Sequence, residues 1–196
     1  MKKLIVLCLI FISHIVASQA IGGEEEPEDV WYSRIYKSDI PTDAPIFEQY
    51  AVQNIFRGNG VRANIKHNPQ AKLFKTVIQN QEEGDVNFAG VFRIIEWGCG
   101  AGCISVALLN KKTGELYFPK NIKFITNVAA IFEDEGSVNY EANSPVLDYR
   151  ADSTLLIIKG SIDDGNHPLS TQLGVSYFLW DTHRLKLIRF VRSSHK

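Results

Sequence analysis

The chain has 196 residues, is 45% apolar and 22% charged, and carries a formal net charge of −1. That balance argues against a general nucleic-acid binder, which carries a basic excess or stripe. The length suits one domain after a leader.

Lys2 and Lys3 precede an unbroken apolar run from Leu4 to Ile12, continued by Ile15 and Val16, and small residues follow at Ala17, Ser18 and Ala20. Charge, apolar core and small residues in that order form the layout of a secretory signal peptide, expected over 1–20. The competing reading is a buried N-terminal element or an uncleaved anchor, for which the run is short of about 20 residues. Cys8 lies inside the run, away from the cleavage point, and would leave with the signal. Loss of both lysines would take the formal charge from −1 to −3. No later apolar run is long enough for a membrane span, so a soluble periplasmic or secreted product is expected.

Ile21–Asp29 is rich in glycine, acid and proline, and the stretch 21–45 is expected to be a flexible acidic leader. A globular domain is expected over 46–196. Arg57-Gly58-Asn59-Gly60 is turn chemistry between apolar segments around 50–56 and 61–65, which implies a loose hairpin or a short helix before the turn. The clearest helix covers about 69–83. Asn68 is a good N-cap, Pro69 suits the first helical position, and Ala71, Leu73, Phe74, Val77 and Ile78 form an apolar stripe. Gly84 is placed to end it in a left-handed conformation.

Strands follow. Phe88–Trp97 and Cys103–Leu109 are apolar and extended in pattern, Lys111–Gly114 is a turn, and Glu115–Phe118 resumes the extended pattern. Residues 121–132 fit strand or helix. Residues 133–145 and 161–170 read as loops around the strand Thr154–Lys159. Leu173–Trp180 and Leu185–Val191 form a last hairpin, turning at 181–184. The fold class expected is α+β: a single domain, mainly an antiparallel β meander, with the 69–83 helix packed on the sheet.

The segment Trp97-Gly98-Cys99-Gly100-Ala101-Gly102-Cys103 reads two ways. As a hairpin tip, Gly100-Ala101-Gly102 is a three-residue loop with Gly102 left-handed, and Cys99 and Cys103 form a disulfide in an oxidising compartment. As a cofactor loop, Glu96, Gly98, Gly100 and Gly102 resemble the first motif of S-adenosylmethionine-dependent methyltransferases. That family then requires a helix, not a strand, at 103–110. Where its ribose-holding acid would stand, this chain has Tyr117-Phe118-Pro119.

A wider set of motifs comprises Asn87-Phe88-Ala89-Gly90, Trp97-Gly98-Cys99-Gly100 with Cys103, Lys112-Thr113-Gly114, and Tyr149, Asp152, Ser153, Leu155 and Leu156 in a Tyr-x-x-Asp-Ser-x-Leu-Leu pattern. An aromatic strand, Tyr177–Trp180, completes it. The set resembles a group of small exported bacterial proteins of uncharacterised function, over about Ala71 to Phe190. Where that group often carries His-Tyr after Ala-Gly, this chain has Val91-Phe92, so the resemblance implies no catalytic role there.

Other chemistry is sparse. His67, His167, His183 and His195 show no metal-ligand spacing with another His or Cys, so no metal and no cofactor is expected. Asp163-Asp164-Gly165 reads as a turn more readily than as a calcium loop. Ser153, Ser161, Asp152 and His167 lie close along the chain, but no Gly-x-Ser-x-Gly elbow is present, and Ser153 reads as support for a strand start. Trp97, Trp180, Tyr177 and Phe178 could form an aromatic surface, although strand aromatics usually fill the core. The functional expectation is a binding module of the cell envelope, using a surface of Trp97, Gly98, Gly100, Ala101 and Gly102. Its partner would be an envelope protein, a cell-wall hydrolase or a glycan. The alternative is an enzyme, either a hydrolase with a loop-built site or the methyltransferase.

Overall fold

A computed structural model describes residues 33–133, 145–163 and 172–194. The expected signal, His167, His195, Asp164 and Gly165 lie outside these residues, as do the loop residues 134–144 and 164–171.

The strands are β1 (Ser33–Tyr36), β2 (Phe92–Gly100), β3 (Cys103–Asn110), β4 (Leu116–Tyr117), β5 (Phe124–Thr126), β6 (Ala129–Phe132), β7 (Leu147–Tyr149), β8 (Leu155–Asp163), β9 (Gly174–Asp181) and β10 (Arg184–Arg192). Eight of them form one antiparallel sheet in the order β10-β9-β8-β5-β3-β2, with β4 added to β3 and β7 to β8. β1 and β6 pair separately and in parallel. The fold is therefore mostly antiparallel sheet with little helix, as the strand spacing implies.

The long strand β8 organises the sheet. Residues 156–158 pair with β7, and after Gly160 residues 161–163 pair with β5. The strand thus runs to Asp163, past the loop expected from residue 161. Gly160 has φ +148, and a Cβ there would lie 2.8 Å from the Thr126 carbonyl oxygen. Only glycine allows that approach. The main core gathers Ile94, Val106 and Leu108 from β2 and β3, Leu156 and Ile158 from β8, and Phe178 and Leu185 from the last hairpin.

The outer side of β2 and β3 is covered by helix. The expected single helix 69–83 is two: α1 (Pro69–Leu73) and α2 (Lys75–Gln81), separated at Phe74, whose φ −109 and ψ 22 leave the helical region. Asn68 caps as expected, accepting from the Ala71 N–H at 3.0 Å. Ala71 and Ile78 are buried against Ile95, Leu109 and Leu116, with the Phe74 ring beside them, whereas Leu73 is 80% exposed. Gly84 does not supply a left-handed stop. Instead the Arg93 guanidinium lies against it and bonds to the Gln81 and Asp85 carbonyls, satisfying the C-terminal end of α2.

Two further expectations change. From Ser33 onward the supposed flexible leader is part of the fold: Ile35 is fully buried, and β1 pairs residue for residue with β6. Residues 51–65 form no hairpin. Their backbone bonds to the body: Val52 N–H to Asp152, Phe56 N–H to Gly90, Val61 N–H to Lys111 and Asn64 N–H to Gly114. Partners distant in sequence took the donors that a hairpin would have used. Residues 121–132, ambiguous in sequence, contain β5 and β6.

Candidate functional site

β2 and β3 form a nine- and an eight-residue strand joined by the shortest of turns. Gly98 pairs with Ile104 and Gly100 with Cys103, which leaves Cys99 as an extra, bulged residue. The loop is therefore Ala101-Gly102, two residues and not the three expected. The bulge absorbs the difference and twists the tip. Gly102 has φ +62, the left-handed conformation anticipated for it. Cys99 and Cys103 are disulfide-bonded with a Cα–Cα distance of 5.1 Å. Gly98, Cys99, Gly100, Ala101 and Gly102 are all exposed. Residues 103–110 are strand, so the helix required by a methyltransferase motif is absent and that reading is set aside.

Trp97, expected to share the surface, is half-buried. Its ring packs on Phe74 at 4.6 Å and on Phe118 at 6.4 Å between centroids. It anchors the base of the hairpin to the helices, while the glycines, Ala101 and the disulfide form the presented part. The other aromatics fill the core as their strand positions imply. Tyr177 and Phe178 are buried, and Trp180 packs edge-on against Phe92 and Tyr117.

Below the tip, two carboxamides line the outer edge of β2. Asn87 accepts from the Ile94 N–H at 2.7 Å and donates to its carbonyl. Gln81 donates to the Glu96 carbonyl at 2.7 Å and accepts from its N–H at 3.3 Å. Each side chain imitates one residue of a neighbouring strand, which blunts an edge that would otherwise invite pairing.

The Glu96 side chain points to the other side and meets Tyr149 of β7. The Tyr149 hydroxyl donates to Glu96 Oε1 at 2.6 Å. Burial raises the Glu96 carboxyl above its ordinary range, and the Tyr149 bond opposes that rise. Tyr149 is itself raised well above a normal phenol, by burial first and then by the bond to Glu96. Sequence singled out both residues, in unrelated motifs, but nothing in their spacing joins them.

The remaining motifs also meet one another. Ala89 and Gly90 both have positive φ, and their N–H groups bond to the carbonyls of Ser153 at 3.0 Å and Ala151 at 2.7 Å. Ser153 Oγ lies 3.0 Å from the Phe47 carbonyl oxygen and accepts from the Leu155 N–H. It supports the start of β8, as expected, and is almost fully buried. His67 and His183 are exposed. Among the described residues no group of three His, Cys, Asp or Glu could hold a metal.

A groove of about 520 Å³ lies where 55–60 passes 83–86, with Arg57, Asp85 and Lys111 in its wall. Lys111 is 6% exposed and bonds to the Glu82 carbonyl oxygen. In sequence it reads only as a turn residue, and no signal marks it as buried. No family model matches this chain, and neither does any curated protein or solved structure.

Proposed function

We propose that this is an exported binding module that presents the stapled β2–β3 tip to a partner in the cell envelope. The partner is an envelope protein, a cell-wall hydrolase or a glycan. The observation that carries the reading is the placing of the disulfide. It closes a ring of only a few residues on an exposed turn, where cross-linking contributes little to global stability and much to local shape. A tip held rigid before contact loses less entropy on binding. Disulfides persist in oxidising compartments, in keeping with a secretion signal at the N-terminus.

The test is capture from envelope extract by the immobilised chain lacking residues 1–20. Ala101→Glu alters the exposed turn without touching the core, and Cys99→Ser with Cys103→Ser releases the staple. Both variants should lose the captured partner. Undiminished capture by both would remove the tip from the proposal.

A further inference from the structure

Between Glu48 and Glu82 the chain carries no acidic residue but five basic ones, Arg57, Arg62, Lys66, Lys72 and Lys75. In a chain whose formal charge is −1, this gathers positive charge on the layer that covers the outer side of β2 and β3. Lys66, Lys72 and Lys75 are exposed and form no ion pair among the described residues. The first acids to return, at the far end of α2, are engaged. The Glu82 carboxylate accepts from the Ala63 N–H at 2.8 Å, and Glu83 pairs with Arg62.

Leu73 stands between Lys72 and Lys75 and is 80% exposed, the most open of the large apolar side chains among the described residues; Ile46 follows at 50%. In one continuous helix it would lie four residues before Val77, on the buried stripe. The break at Phe74 turns it outward instead. The Phe74 ring packs on Trp97, so the junction is held from below. Such a junction is complementary to a surface that offers negative charge to the lysines and apolar volume to Leu73. A soluble polyanion offers only the first. An anionic phospholipid leaflet offers both, since its head groups attract basic residues and an adjoining apolar side chain enters the acyl boundary.

We propose that the α1–α2 junction docks on an anionic phospholipid surface, with Leu73 inserted and Lys66, Lys72 and Lys75 on the head groups. The assignment does not rest on the β2–β3 tip as a binding surface: capture by the tip and docking of the junction are read by separate experiments.

Vesicle flotation tests it, using the chain without residues 1–20 so that their apolar run does not itself partition. The chain should float with vesicles of phosphatidylglycerol mixed with phosphatidylcholine and not with phosphatidylcholine alone, and salt should weaken the binding. A lysine near an anionic leaflet is worth about fivefold in partitioning, so Lys72→Glu with Lys75→Glu should lower it about 25-fold or more. Leu73→Ser should lower it about tenfold. All three positions are exposed, so the variants should keep the parent circular dichroism spectrum, and Lys66→Glu supplies a separate charge reversal outside the helices. Failure of the parent to float, as when the chain's own acidic Glu24–Glu26 occupies this face, would overturn the proposal. So would equal flotation with neutral vesicles, or indifference of folded variants to charge reversal. Undiminished flotation of Leu73→Ser would identify a surface for polyanions and overturn it equally.

Discussion

Tyr149 and Glu96, 53 residues apart, are joined by a 2.6 Å hydrogen bond that ties β7 to β2. The bond closes the sheet at a place where no backbone ladder does so, because β7 pairs with β8 and β2 with β3. Both groups are polar and partly buried, so each depends on the other for its partner.

This pair sets a pH dependence. Burial, the larger cause, keeps the folded-state Glu96 carboxyl above the ordinary value of 4.5, so the folded protein retains that proton to higher pH than the unfolded chain does. Stability therefore falls as pH rises from about 4.5 through the folded-state value, and the favourable contribution is fully present below that window. Glu96→Gln keeps an acceptor for Tyr149 without the charge. It should flatten this part of the curve and raise stability near pH 7 relative to the parent. Urea unfolding from pH 4 to pH 8 measures both effects; a parent curve that rises across the window would contradict the assignment.

Tyr149→Phe removes the donor and should cost about 1 kcal/mol near neutral pH. Because the Tyr149 bond is what opposes the burial effect on Glu96, the same substitution should push the Glu96 titration higher still. Carboxyl-carbon NMR of Glu96 in the two proteins distinguishes a shift in that direction from none.

The staple should contribute modestly. For a loop of this size the chain-entropy relation gives about 2 kcal/mol. Cys99→Ser with Cys103→Ser should lower stability by roughly that amount. Thiol titration of the chain without residues 1–20 should find no free sulfhydryl before reduction, and two reactive thiols would contradict the pairing.

Gly160 and Gly102 both have positive φ but differ in surroundings. A Cβ at Gly102 meets nothing within 4 Å, whereas one at Gly160 lies 2.8 Å from the Thr126 carbonyl oxygen. Gly102→Ala should cost only its backbone term, about 1 kcal/mol. Gly160→Ala adds a clash with backbone at the bend of β8 and should cost about 3 kcal/mol or more. Equal losses in chemical denaturation would show that β8 relaxes freely there.

The carboxamide edge is testable by association. Asn87→Ala leaves the Ile94 N–H without its partner, and adding Gln81→Ala strips the Glu96 backbone as well. The double variant should be less stable by about 2 kcal/mol and should self-associate on light scattering, since an open strand edge templates pairing. A monomer as soluble as the parent would mean that other features guard this edge.

Local signals in the sequence suffice where one element decides the outcome. The Asn68 cap needs only the next three residues, the β9–β10 hairpin needs only alternation and a turn, and the disulfide needs only two cysteines four apart. Where tertiary structure departs from these local signals, the cause is shared. Residues 51–65 carry turn chemistry but give their N–H groups to Asp152, Gly90, Lys111 and Gly114. Leu73 fits an apolar stripe yet is exposed, because the helix breaks at Phe74 where that ring packs on Trp97.

By itself the amino-acid order determined a mainly antiparallel architecture, its closing hairpin and the position of the staple, because short-range periodicity and turn chemistry act within a few residues. Tertiary structure alone decided that Glu96 faces Tyr149, that Trp97 serves as a foundation under the tip, and that Lys111 is buried. It also decided that the bulge in β10 turns Leu187 and Phe190 to the same side of the strand. These are properties of register and of strand neighbours far apart in the chain. A single shifted residue reverses which face a side chain occupies, and no local pattern encodes that choice.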